Sequence, residues 1–387
     1  MFSVYLTKEA SLKRDTFIPF IYNNEVTSFK GEIKSGEVCE IRSNEDKFLG
    51  QGFFNSQSKI MIRVLTLKDE TIDYDFFKNR IQMALTHRAN LAFDNTSRLI
   101  FSEADLLPGL VVDKYADILV CQFTSLGMYN RRELIKDILV ELVRPRGIYL
   151  RDDININLKE GIPLEKGYLY NEFPTKVLVK ENDILFYVDV ENGQKTGYFL
   201  DQKLNRDYLK YFVKDKAVLD CFSHTGGFAL NAAKNGAKEV LALDISSLAC
   251  ETILENAKLN NFSNIKSKCV DVFNYLHEED IKDKFDVIIL DPPAFTKNKE
   301  TVKKAYRGYK DINLAALKAL KKGGYLFTFS CSQHMNLNLF LEMLNDAIKD
   351  SKRICQMIDF RIQSPDHVTL LNGLELYLKC VVLRVLE

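Results

Sequence analysis

The stretch AVLDCFSHTGGFALNAAKNGAKEVLALD, residues 217–244, decides the fold. An apolar run of strand length ends in an acidic residue and a turn with two adjacent glycines. A helical segment follows, and a second apolar run closes on Asp244. That is one strand–helix–strand unit. The alternation continues through LACETILENAKLNN (248–261), IKSKCVD (265–271), VFNYLHEED (272–280), FDVIILD (285–291), INLAALKALKKG (312–323), YLFTFS (325–330) and LNLFLEMLNDAIKD (337–350). Strands alternating with helices predict an α/β fold whose mostly parallel sheet is covered on both faces. Ligands of such sheets bind beyond the carboxyl ends of the strands, so the residues just after each strand are the ones to read.

Upstream the pattern differs. Residues 1–72 hold short β-type runs, SVYLT, EVCEIRS, KFLGQGFF and KIMIRVL, separated by polar turns, and predict a small β-rich module suited to recognition. Residues 73–192 mix a helix (FFKNRIQMALTHRANL) with strands LIFSEAD, GLVVDKY and DILVCQFT. A second helix carries Ile135, Ile138, Leu139 and Leu142 on one face, and strands GIYLRDD, KVLVKEN and ILFYVDVE follow. This is an α+β middle domain. Residues 193–387 form the third segment. A chain of 387 residues with 46% hydrophobic content can fill several cores. No apolar run reaches the roughly 18 residues of a membrane span, so no membrane partner is expected and the expected location is the cytoplasm. Eight scattered cysteines without CxxC pairs read as reduced thiols, with no metal and no disulfide. Fifty-three basic and fifty-three acidic residues cancel, which excludes a strongly basic chain but leaves room for a local patch such as KNKETVKKAYRGYK, residues 297–310.

Five strand ends carry candidate site residues. The turn DCFSHTGGF runs from Asp220 to Phe228, and its glycines let a ligand approach the backbone and the amides of the next helix. It lacks the GxGxxG spacing of nicotinamide sites. Asp244 can accept both ribose hydroxyls, or cap the helix that follows; Asp271 can accept from an adenine amino group, or cap VFNYL. DPPAF (291–295) places two prolines, stiff and without amide donors, after an acidic strand end, where they can hold a planar base. Cys331, in FSCSQHM, is either a nucleophile at the same cleft or a packing residue.

The motifs DxFSxTGGF, LD, DPPxF, GYKDIN (308–313) and TFSCS (328–332), with TGYFLDQKLNR (196–206) upstream, resemble the large-subunit rRNA methyltransferases of the RlmI/YccW type over nearly the whole chain. The resemblance implies an N-terminal PUA domain, a middle α+β domain and a C-terminal class I, Rossmann-like methyltransferase domain that uses S-adenosylmethionine (SAM). It implies that Phe222, Thr225 and Gly226 line the methionine side of the cofactor, that Asp244 holds ribose, and that Asp271 with Val272 meets adenine. Asp220, Ile245 and Asp291 fall in the same cofactor set, and Phe199 and Gln202 would close the pocket. Asp291 and Pro292 would face the target base, with Phe295 stacked on it and Pro293 and Lys297 on the substrate side. Two segments depart from the family pattern: RDTFIPFIY (14–22) stands where an RHPWVF-like signature is usual, and DHV (366–368) replaces DHP.

Three activities are compatible with these residues. With Cys331 as nucleophile and Asp291 as its partner, the reaction is methylation of cytosine C5 in 23S rRNA through a covalent adduct. Without the thiol, direct attack by a base nitrogen, such as guanine N7, needs only positioning. A non-catalytic RNA-binding or assembly protein would have lost the cofactor residues, and Asp220, Gly226, Asp244, Asp271 and Asp291 are all present. The apolar run LELYLKCVVLRVL (374–386) is either an edge that could pair with a second copy in a homodimer or an internal strand of the sheet.

Overall fold

Alternating apolar residues near the N-terminus close into a six-stranded sheet in the computed structural model, which describes residues 2–296, 299–371 and 376–387. Its strands are β1 (Phe2–Leu6), β2 (Phe20–Tyr22), β3 (Val26–Lys30), β4 (Val38–Arg42), β5 (Phe48–Phe54) and β6 (Ile60–Thr66), in the order β2-β6-β5-β4-β1-β3. Inward-facing Val4, Leu6, Ile21, Ile41 and Ile62 fill the core, and the short helix α1 (Lys8–Leu12) adds Ala10. Two strands escape the sequence pattern. β2 has three residues, and β3 is an edge whose last four residues are exposed, so neither carries an apolar alternation. β2 lies in the departing segment Arg14–Tyr22, where buried Arg14 donates to the carbonyls of Ile18 and Phe20 at 3.0 and 3.1 Å.

Asp73 caps α2 (Tyr74–Asn90) by accepting from the Phe76 amide at 3.1 Å. Behind it stands a sheet of β7 (Thr96–Phe101), β8 (Leu110–Tyr115), β9 (Ile118–Phe123), β10 (Gly147–Arg151) and β11 (Lys166–Tyr170), in the order β11-β10-β9-β8-β7. Helices α3 (Leu126–Tyr129), α4 (Arg132–Val143) and α5 (Ile156–Lys159) lie between strands, and α4 buries Ile135, Ile138 and Leu139. The half-exposed edge strand β11 was not legible in the sequence. A hairpin of β12 (Lys176–Glu181) and β13 (Ile184–Asp189) turns at Asn182 and Asp183, both at positive φ (51° and 59°), the geometry that two-residue hairpin turns require.

Compactness divides the chain into two units. The first is Met1–Val179, Val188–Leu200 and Pro365–Leu374; the second is Lys180–Tyr187, Asp201–Ser364 and Glu375–Glu387. Within the first, buried Arg63 of β6 joins the two sheets, donating to Glu103 at 2.7 Å and to Glu160 at 2.9 Å. Glu160 also accepts from Ser58 (2.7 Å) and Asn55 (3.2 Å), so its buried charge is compensated. Asp366 ties the late segment to the α+β layer: it accepts from the Arg98 amide at 3.0 Å, and its carbonyl accepts from Arg88 at 2.8 Å.

The second unit holds α6 (Lys203–Tyr208) and a seven-stranded sheet: β14 (Ala217–Cys221), β15 (Glu239–Asp244), β16 (Ile265–Cys269), β17 (Phe285–Leu290), β18 (Leu320–Ser330), β19 (Cys355–Arg361) and β20 (Lys379–Val385). Their order is β16-β15-β14-β17-β18-β20-β19, with the first five parallel and β20 antiparallel to both its neighbours. The chain reverses direction across the sheet at β14, the switch point at which such sheets bind ligands. Helices α7 (Gly227–Lys234), α8 (Ser247–Leu259), α9 (Val272–Leu276), α10 (Val302–Ala319) and α11 (Leu337–Ser351) accompany the strands. The run read as either an edge or an internal strand is internal: β20 lies between β18 and β19. Helix α10 starts ten residues before the apolar stretch that announced it at Ile312. Among the described residues no helix is long and apolar enough to cross a membrane.

Candidate active site

Strand β14 is buried throughout, and the chain leaves it through a run of left-handed residues: Phe222 (φ 61°), His224 (φ 51°) and Gly226 (φ 90°). A bulky residue in that region is an outlier that persists only where its surroundings hold it. Here they do. The Ser223 amide donates to the Leu243 carbonyl (2.9 Å), its hydroxyl to the Asp220 carbonyl (2.7 Å), and the His224 amide to Asp244 Oδ2 (2.9 Å). Gly226 precedes α7, and a Cβ on it would stand 3.1 Å from Ile253. Asp220 is fully buried; Oδ2 accepts from the Ala229 amide at 3.0 Å, whereas Oδ1 has no hydrogen-bond partner. Burial, reinforced by the nearby carboxylates of Asp291 and Asp244, pushes its carboxyl up to about 7.

At the end of β15, Asp244 Oδ1 accepts from the Ser246 amide at 2.9 Å, and the cap of α8 is Ser246, whose hydroxyl accepts from Ala249 at 3.3 Å. Ile245 beside it is 72% exposed, a bare aliphatic surface at the strand end. Asp271 does cap α9, accepting from the Asn274 amide at 3.2 Å. Val272 turns its side chain into the core, which leaves its backbone for any ligand.

Beyond β17, Asp291 accepts from the Gln202 amide nitrogen at 3.0 Å, and Asn205 holds Gln202 through a 2.8 Å bond to its Oε1. Pro292 is buried and Pro293 exposed. Phe295 packs between Phe273 (ring centroids 5.8 Å) and Tyr309 (4.5 Å), with Phe222 on the far side of Phe273 at 6.4 Å. Cys331 is the first residue after β18 and is partly exposed. The serines on either side of it, Ser330 and Ser332, both hydrogen-bond the buried Tyr309 hydroxyl, at 3.2 and 3.1 Å. Buried Lys379 of β20 donates to the Ser332 and Tyr377 carbonyls, each at 3.0 Å.

The second unit therefore brings together, along the carboxyl edge of one sheet, Gln202, Asp220, Phe222, Thr225, Gly226, Asp244, Ile245, Asp271, Val272, Asp291, Pro292, Pro293, Phe295 and Cys331. Phe199 belongs to the first unit, where the Lys195 ammonium sits 4.4 Å from its ring centroid. Lys297 lies outside the described residues. Sequence reading missed Tyr309 and Asn205 as members of the site. For Tyr309 a signal existed: carrying the helical spacing of Ile312 and Ala316 back to Ala305 places Tyr309 on the buried face of α10.

Comparison with known proteins adds family to geometry. A PUA-like domain model matches residues 4–67, and a model of S-adenosylmethionine-dependent methyltransferases matches residues 167–350. The ribosomal RNA large subunit methyltransferase I of Aliivibrio fischeri (strain MJ11) is 41% identical over 375 residues, 94% of each chain. That of Shewanella amazonensis (strain ATCC BAA-1098 / SB2B) is 41% identical over 389 residues, 98% of this chain and 97% of the relative. Among solved structures, SMU.776 complexed with SAH superposes with a TM-score of 0.85 over the full length of both chains at 23% identity, a likeness of fold.

Proposed function

Because the chain belongs to the ribosomal RNA large subunit methyltransferase I family and is a SAM-dependent methyltransferase, we propose that it methylates C5 of a cytosine in 23S rRNA through a covalent adduct on Cys331. The observation that carries this reading is the pairing of β17 with β18. Their register, Leu290 opposite Thr328, brings Asp291 and Cys331 out at the same end of adjacent strands. Cys331 is partly exposed there, whereas Cys221 and Cys380 are buried.

The turn after β14 fits SAM. It offers a buried carboxylate oxygen of Asp220 without a partner, a left-handed glycine on which a Cβ would crowd Ile253, and the exposed aliphatic face of Ile245. In this reading Asp220, Phe222, Thr225 and Gly226 hold the methionine side, Asp244 and Ile245 the ribose, Asp271 and the Val272 backbone the adenine, and Gln202 covers them. When bound, SAM supplies an electrophilic methyl group. Carbon 5 of cytosine is a poor nucleophile until the Cys331 thiolate adds to C6 and pushes the double-bond electrons toward C5. Asp291, one oxygen fixed by Gln202, hydrogen-bonds N3 and the exocyclic amine and favours the protonated adduct. Pro292, Pro293 and Lys297 border the base, and Phe295 presents an aromatic edge to it. After methyl transfer the C5 proton leaves to a base, the double bond re-forms and Cys331 departs as thiolate. Recognition falls to residues 1–72, support to 73–192 and chemistry to 193–387. Acting on rRNA, the protein works in the cytoplasm.

Transfer of labelled methyl from SAM to unmodified large-subunit rRNA, followed by identification of the labelled nucleoside, tests the reading. Cys331→Ala is expected to abolish label in 5-methylcytosine. Label in a methylated guanine that survives the substitution would replace the covalent scheme by direct nitrogen methylation.

A further inference from the structure

The basic run noted at residues 297–310 acquires a direction once α10 is seen to begin at Val302. Ala305, Tyr309 and Ile312 face inward, and Lys303, Lys304 and Arg307 are exposed. Lys303 and Arg307 are four residues apart and Lys304 and Arg307 three, so the three cations share one helical face. Several neighbouring cations of this unit are compensated. Lys310, one turn on, pairs with Asp350 at 2.7 Å, Lys321 with Asp286 at 3.0 Å and Arg353 with Asp283 at 2.5 Å. Lys303, Lys304 and Arg307 make no ion pair and no hydrogen bond among the described residues. The nearby acid Glu300 is exposed as well, so the start of the helix keeps an excess of two positive charges even when it is counted.

The position of this face matters as much as its charge. A Cβ on Gly308 would stand 3.3 Å from the Phe295 ring, and the Tyr309 ring lies tilted against Phe295 while its hydroxyl reaches the serines flanking Cys331. The first turns of α10 are thus bound to both parts of the site that would meet a base. A chain with 53 basic and 53 acidic residues has no overall attraction for a polyanion, so its grip on one must come from a local excess.

We propose that Lys303, Lys304 and Arg307 form a track for the RNA phosphodiester backbone that flanks the target base. This rests on the RNA substrate proposed above. Each phosphate neutralised releases condensed counterions and steepens the fall of affinity with salt by about 0.7–0.9 in the log–log slope. The three cations therefore account for a slope of about two to three.

Binding of an unmodified large-subunit rRNA fragment is measured over a salt series for the intact chain, for the triple variant Lys303→Ala/Lys304→Ala/Arg307→Ala, and for Lys214→Ala/Lys216→Ala/Lys238→Ala. The second triple removes equal charge from exposed positions just before β14 and β15, at the opposite end of the same sheet. The expected result is a slope reduced by about two to three in the α10 triple alone, with weaker RNA binding and unchanged affinity for SAM. Equal losses in the two triples, or an unchanged slope in the α10 triple, overturn the track. An unsubstituted chain that transfers no methyl group to RNA overturns the substrate reading itself, and that failure appears before any substitution is made.

Discussion

Tyr309 touches two parts of the site at once: its ring lies against Phe295, and its hydroxyl bonds Ser330 and Ser332 on either side of Cys331. Tyr309→Phe keeps the ring and removes the hydroxyl, so a positioning role predicts a loss confined to the thiol end. A hydrogen bond of this kind contributes about 0.5–1.5 kcal/mol. The expected effect is a kcat about twofold to twelvefold lower with KM for SAM unchanged, read from methyl-transfer kinetics; an unchanged kcat would reduce the hydroxyl to a packing detail. Cys331 was legible in the sequence because it follows an apolar strand. Its supports were not, since Tyr309 is more than twenty residues away along the chain and only the fold brings it under the strand end. Asp291 presents the same case: the DPPAF motif announced it, but its bond to Gln202 spans 89 residues.

At the scale of the element, the turn from Phe222 to Gly226 stores strain in a run of left-handed residues. Gly226→Ala adds a side chain at φ 90° with Ile253 at 3.1 Å. A left-handed L-residue costs roughly 1–2 kcal/mol, so denaturant unfolding should show a loss of that order. Affinity for SAM, measured by titration, should fall more than stability alone explains; an unchanged affinity would remove the turn from the cofactor site. The parallel strands β14 to β18 were legible because burial on both faces makes them continuous apolar runs. Strands β2, β3 and β11 were not, because edge position and shortness erase the alternation, and α10 was legible only where its apolar face is densest.

Across the whole molecule, each unit buries an acid whose carboxyl is pushed up to about 7, Asp152 in the first and Asp220 in the second, burial being the leading cause in both. In the unfolded chain these groups lose their protons near pH 4. Between about pH 4 and pH 7 the folded protein holds more protons than the unfolded chain, so stability is greatest at the acidic end of that window and declines as pH rises through 7. The decline is on the order of 1 kcal/mol per pH unit for each group. Urea midpoints of the cofactor-free protein should fall from pH 5 to 7.5, and the slope should flatten in Asp152→Asn; parallel slopes would count against the assignment.

The bonds from Arg88 and Arg98 to Asp366 span 278 and 268 positions of the chain. On a ribosome adding about 5–20 residues per second, the α+β layer would therefore wait roughly 13–55 seconds for the segment that completes it. Throughout that interval Arg88 and Arg98 have Asp105 and Asp113 but not Asp366, while most of the second unit is being synthesised. A nascent chain of this protein thus spends much of its translation with its first-made unit lacking the segment that closes it.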